Sequence, residues 1–258
     1  MSVEGRLAQL NIERLAVAVI LVAVAVLSWI YVLVGADMNL MMAMTGAPLD
    51  SSAWVNVAAV VAAWSAMMLA MMLPSAIPML LFFHMILQRR AVANAWVRLS
   101  VFALGYLVIW TGFSAVATLV QLALDRLRLL SPAMAVASPL AVGGLILISG
   151  LYQFTASKHG CLRHCASPLD FIIKHWRSGS NGAFIMGLRH GSYCLGCCWA
   201  LMALLFAGGM MNLAWIGGLS LYVLVEKALP AHNQPRLASG LALVLWGTMA
   251  IWRAIAAV

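Results

Sequence analysis

Apolar residues run along this chain in blocks rather than in alternation. Seven stretches stay almost free of charge for about the length of a bilayer crossing: 15–34, 55–73 (running on past Pro74 to about 87), 99–124, 137–156, 193–210, 213–229 and 237–257. A transmembrane helix needs about 20 predominantly apolar residues. No segment shows the period-two alternation of a half-buried strand, and an open sheet cannot satisfy its edges in lipid. The pattern predicts an all-α, polytopic helical membrane protein with about seven transmembrane helices, forming a single domain over residues 1–258. The first block has no small-residue cleavage site and reads as a retained span rather than a signal peptide.

The polar positions are as uneven. The longest polar stretch is 157–190, expected as a loop with a turn at 178–182, Ser-Gly-Ser-Asn-Gly. Across the whole chain 65% of residues are hydrophobic and only 9% charged. Soluble domains carry roughly 25% charged residues, so a water-soluble enzyme is excluded. Disorder needs low hydrophobicity, and five cysteines in 258 residues are too few for a secreted disulfide scaffold. The net charge of +8 fits basic cytoplasmic loops better than a nucleic-acid surface. With the N-terminus inside, only Arg126, Arg128 and Arg253 of the 15 Lys and Arg fall on outer segments. The expected arrangement is N-in and C-out, multi-pass in an inner membrane, with 157–190 as a cytoplasmic loop. The lipid bilayer is the expected partner, and nucleic acid is not. Tryptophans near the block ends read as an interfacial belt.

The cysteines carry the chemistry. All five lie between Cys161 and Cys198: Cys161 and Cys165 in the polar stretch, Cys194, Cys197 and Cys198 at the start of the fifth block. His159, His164, His175 and His190 fall in or beside the same region. Thiolate and imidazole are the main side chains for borderline and soft metals. If the chain is helical from His190 onward, His190, Cys194, Cys198 and Met202 form a stripe at four-residue spacing. A second soft set, Met67, Met68, Met71 and Met72, precedes Pro74 and Pro78. Met67 and Met71 share a face, and the prolines are expected to kink or open that helix. Glu226, the only acidic residue embedded in a later block, is a functional candidate by default. Under the expected topology the cysteines, the Met-Pro segment and Glu226 converge at the inner side. The methionines of the first outer loop, Met38, Met41, Met42 and Met44, read as an interfacial apolar loop.

Four segments resemble a family of bacterial predicted metal-binding integral membrane proteins, a domain of unknown function. They are 67–75 (MMLAMMLPS), 161–169 (CLRHCASPL), 187–202 (GLRHGSYCLGCCWALM) and Glu226-Lys227, and the likeness covers roughly residues 64–230. Only Ala166 stands where a basic residue is expected. The resemblance implies a bacterial membrane protein that binds metal through the residues named here, and it implies no particular reaction.

The candidate ligands are Cys161, Cys165, Cys194, Cys197, Cys198, His190, His164, His159, Met67, Met71 and Glu226. Copper is the favoured metal, since thioether and thiolate suit Cu(I); zinc and iron stay open. The expected centre joins Cys161, Cys165 and Cys194 to either Cys197 or Cys198, because neighbours on a helix diverge by about 100°. Lys158, Arg163, Arg189 and a protonated His190 are the expected counter-charges. The favoured function is soft-metal handling, delivery or translocation, with a metal-chaperone or enzyme partner. Two alternatives are a membrane thiol–disulfide oxidoreductase using Cys194/Cys197 with Cys161/Cys165, and a membrane metalloenzyme subunit. A reducing cytoplasm weighs against the oxidoreductase.

Overall fold

The computed structural model describes residues 3–35, 53–92, 94–131, 135–210, 212–229 and 234–256, with side chains from 12 and from 57 onward in the first two segments. The outer-loop methionines Met38, Met41, Met42 and Met44 and the short-loop His232 lie outside the described residues. The described residues form α1 (Val3–Gly35), α2 (Ala53–Arg89), α3 (Ala95–Arg126), α4 (Pro139–Tyr152), α5 (Ala156–Ala166), α6 (Pro168–His175), α7 (Gly179–Ala203), α8 (Leu205–Gly208), α9 (Leu213–Ala228) and α10 (Gln234–Ala256). They contain no strand, only an isolated bridge between Leu130 and Val136. The protein is all-α.

Among the described residues, five helical segments are long and apolar enough to cross a membrane: Ile12–Val34, Val57–Arg89, Ala95–Arg126, Gly179–Gly208 and Gln234–Ala256. The fourth expected block divides into α4 and α5, which meet at a 67° bend. The sixth is α9, with 16 residues. The stretch 157–190, expected as a loop, is helical. Its local sequence carries the signals. The Thr155 side chain accepts from the Lys158 amide to cap α5, and Ser167 accepts from the Asp170 amide ahead of Pro168 in the first turn of α6. Such side-chain oxygens satisfy amides that a helix start leaves open, and proline at the first position loses nothing. The polar composition hid these helices because they lack an apolar block of their own.

Helix α2 runs through Pro74 and Pro78 without ending. Neighbouring side chains donate to two carbonyls just before Pro74. The carbonyl of Met72 accepts from Ser75 Oγ at 2.8 Å and from Tyr106 Oη at 3.4 Å, and that of Met71 accepts from Ser220 Oγ at 3.3 Å.

Helices α3 and α7 cross at glycines. A Cβ on Gly187 would land on the carbonyl oxygen of Phe102, and one on Gly105 would meet the backbone of Phe184 and Leu188. Helix α10 lies along α4 in the same way, with Gly143 against Ile251 and Gly247, and Gly150 against Val244. Small residues permit this approach. The buried side chains form two clusters. One gathers the middle of α1, the later turns of α2, the start of α3, α6 and the start of α7 around Phe83, Phe102 and Phe171. The other gathers Met67, Met68, Met71 and Met72 of α2 with Cys165, Cys194, Cys197 and Cys198.

Candidate metal centre

The stripe expected on α7 is real: His190, Cys194, Cys198 and Met202 are all buried and follow one another at one-turn spacing. The adjacent cysteines point two ways, as helical geometry requires. Cys197 is buried in the cluster that also holds Cys165 of α5, with Cys161 packed against it. Cys198 faces α2, where its Sγ lies 3.8 Å from Met72 Sδ. Both thiols donate to the carbonyl of Cys194, at 3.0 Å each. Cys161 is half-buried, with its sulfur against Gly196; a Cβ there would stand 2.7 Å from it. None of the five is in a disulfide.

A cation sits among the sulfurs. Lys227 Nζ donates to Cys194 Sγ at 3.1 Å and to Ser75 Oγ at 2.9 Å, and it lies 3.9 Å from Met72 Sδ. Tyr106 Oη is 3.3 Å from Cys194 Sγ on the other side. Burying an ammonium is costly unless it is paired or hydrogen-bonded. Here its partners are two sulfurs and one hydroxyl, on α2 and α7.

Next door is a second buried charge pair. Lys158 Nζ donates to Glu226 Oε2 at 2.8 Å, and the two side chains are 0% and 3% exposed. Tyr222 donates to the other carboxylate oxygen at 3.2 Å. Glu226 is therefore tied to α5 rather than to its chain neighbour, which leaves Lys227 free for the thiols.

The candidate histidines separate. His190 is buried, stacked on Tyr106 with ring centroids 5.8 Å apart, and neither ring nitrogen has a hydrogen-bond partner among the described residues. It sits between Phe102 and Phe171. His164 of α5 is half-buried and stacked on Tyr193 of α7 at 4.7 Å. His159 is half-buried on the same helix. Met67 and Met71 are buried in the thiol cluster, but the thioether that touches a thiol is that of Met72. Lys158 takes a carboxylate instead of sulfur charge, while Arg163 and Arg189 are exposed. Away from the apolar helices, the Lys174 ammonium holds the Asp170 carboxyl below the usual carboxylate range through a hydrogen bond.

Among the described residues, no three His, Cys, Asp or Glu groups are drawn together as a formed metal shell. The donor set nevertheless suits a soft ion. Four buried thiols cluster with Met72, one ammonium contacts Cys194 and Met72, and among the described residues no carboxylate hydrogen-bonds a sulfur. Sulfur ligands of this kind select Cu(I) over harder ions.

Sequence reasoning missed Tyr106 and left Met72 and Lys227 out of the candidate ligands and counter-charges. Met72 was visible as the face-mate of Met68. Lys227 was visible only as a neighbour of Glu226, and its role depends on the direction that carboxylate turns. No curated protein and no solved structure matches the chain. Residues 61–250 match the family model PpoB2, described as copper chaperone. That match covers most of the chain and both halves of the sulfur cluster, and on it the chain belongs to the PpoB2 copper chaperone family.

Proposed function

We propose that this chain is an integral membrane protein that holds Cu(I) as cargo on its sulfur cluster and passes it to a partner protein. The observation that carries the reading is the ammonium of Lys227 buried against Cys194 Sγ and Met72 Sδ. Two thiolates on one Cu(I) leave a net charge of −1. Lys227 supplies +1 at the same place, so the loaded centre is neutral in an apolar surrounding. Cys194 and Cys198 with the Met72 thioether form the shell on the α2 side. Cys165 and Cys197 extend it toward α5, and half-buried Cys161 is the sulfur nearest the surface. Transfer then proceeds by exchange of one sulfur at a time, from the inner thiols to Cys161 and on to a thiol of the acceptor.

Membrane integration is supported by the outward faces. The most apolar windows of α1, α3 and α10 are only 22%, 22% and 11% buried within the protein. Soluble monomers rarely expose contiguous apolar surface on this scale. In our reading α4 and α9 also cross, which gives seven spans, N-in and C-out, in a bacterial inner membrane. The sulfur cluster then opens toward the cytoplasm, where thiols stay reduced.

The test is copper per chain after anaerobic Cu(I) loading of the detergent-purified protein. Cys194→Ser is expected to abolish retention against a competing chelator, and Cys165→Ser and Cys198→Ser to weaken it. Undiminished copper in every single Cys→Ser variant would overturn the proposal. So would a Cys194–Cys197 disulfide that turns over substrate thiols.

A further inference from the structure

His164 and His175 lie outside the sulfur cluster, on α5 and α6, and both are half-buried. Their ring centroids are 5.9 Å apart and nearly perpendicular. Each ring is oriented by its own helix. His164 Nδ1 lies 2.8 Å from the carbonyl of Gly160, and His175 Nδ1 lies 3.1 Å from the carbonyl of Phe171. A carbonyl only accepts, so Nδ1 carries the proton in both rings. In a neutral imidazole the lone pair then sits on Nε2. Fixing the tautomer through a backbone carbonyl on the far nitrogen is the usual preparation of a metal-binding histidine. Tyr193 closes the group. Its ring stacks on His164 at 4.7 Å, and its hydroxyl lies 3.4 Å from His175 Nε2.

Chain adjacency links this group to the thiols. His164 precedes Cys165 on α5, and Tyr193 precedes Cys194 on α7. On each helix one residue turns to the half-buried rim and the next to the sulfur core. The Tyr193 ring, with Phe171 packed against it and against His175, lies beside both imidazoles one residue before Cys194.

We propose that His164 and His175 form a second copper site, an imidazole pair that captures the ion at the rim and delivers it past Tyr193 to Cys165 and Cys194. Imidazole binds copper well but holds Cu(I) less tightly than a thiolate cluster, so the ion moves inward down the affinity gradient. Binding needs His175 Nε2 to exchange the Tyr193 hydroxyl for the metal and His164 Nε2 to turn toward the same ion. The site rests on the copper reading of the sulfur core, and one experiment separates the two.

Full-length protein in detergent is loaded anaerobically with one and then two equivalents of Cu(I), and its ligands are read by copper X-ray absorption. The first equivalent is expected to show sulfur and the second to add imidazole scattering. In the His164→Ala/His175→Ala chain the imidazole signal disappears, sulfur-bound copper remains, and loading of the thiols slows by about tenfold or more. Retained sulfur-bound copper also certifies the fold of the variant. If that chain fails to hold it, His164→Gln and His175→Gln singly are read the same way. Imidazole scattering that persists in these variants, or thiol loading at the wild-type rate, overturns the rim site alone. Absence of sulfur scattering in the wild type overturns the copper core instead.

Discussion

The buried pair Lys158–Glu226 offers the sharpest test of the core. Replacing Lys158 by Met keeps most of the side-chain volume but leaves the Glu226 carboxylate, 3% exposed, with only the Tyr222 hydroxyl. Removing one partner of a buried ion pair costs about 3–5 kcal/mol, because the remaining charge stays desolvated. Against a total stability of roughly 5–15 kcal/mol that is a large fraction. At roughly 2–4 °C per kcal/mol for a chain of this size, the melting midpoint in detergent should fall by many degrees. The double variant Lys158→Met/Glu226→Leu removes both charges. Since apolar replacements of a whole buried pair are often neutral or stabilising, it should recover most of the loss. The exposed pair Lys174–Asp170 is the control: Lys174→Ala should leave the midpoint unchanged, as surface pairs contribute little. The reasoning fails if Lys158→Met melts with the wild type, or if the double variant is less stable than the single one. The first result would mean that water reaches the pair.

Three further outcomes follow from the same geometry. Gly187→Ala places a methyl on the Phe102 carbonyl and should destabilise by about 1–3 kcal/mol, whereas Gly144→Ala, which faces open space, should be neutral; thermal unfolding distinguishes them. Lys227→Gln should weaken Cu(I) retention about 10–100-fold in chelator competition, the range for losing an orienting outer partner, with wild-type retention contradicting its counter-charge role. Met72→Leu should change the copper shell while Met67→Leu does not, since only Met72 touches a thiol.

The helical class and the approximate place of the long helices were legible because lipid-length apolar blocks leave little choice of structure. The clustering of Cys165, Cys194, Cys197 and Cys198 with the methionines of α2 was also legible, from their types and from one-turn spacing. The short helices α5 and α6 were not. They are specified by single capping residues, Thr155 and Ser167, whose signal is lost in a polar stretch. The assignment of counter-charges also lay beyond reach. Sequence adjacency favours Lys158, Arg163 and Arg189, but a three-dimensional turn of α9 sends Glu226 to Lys158 and Lys227 to Cys194. The roles of the two methionine faces likewise depend on how α2 rotates against α7, which periodicity alone leaves open.

The central claim is that the buried sulfurs around Lys227 hold a monovalent soft metal. Copper K-edge absorption of the purified protein carrying a single equivalent tests it most directly. The account predicts Cu(I) in a low-coordinate shell made only of sulfur, lost in Cys194→Ser. A shell dominated by nitrogen or oxygen at that first equivalent, or one unchanged by Cys194→Ser, would contradict it.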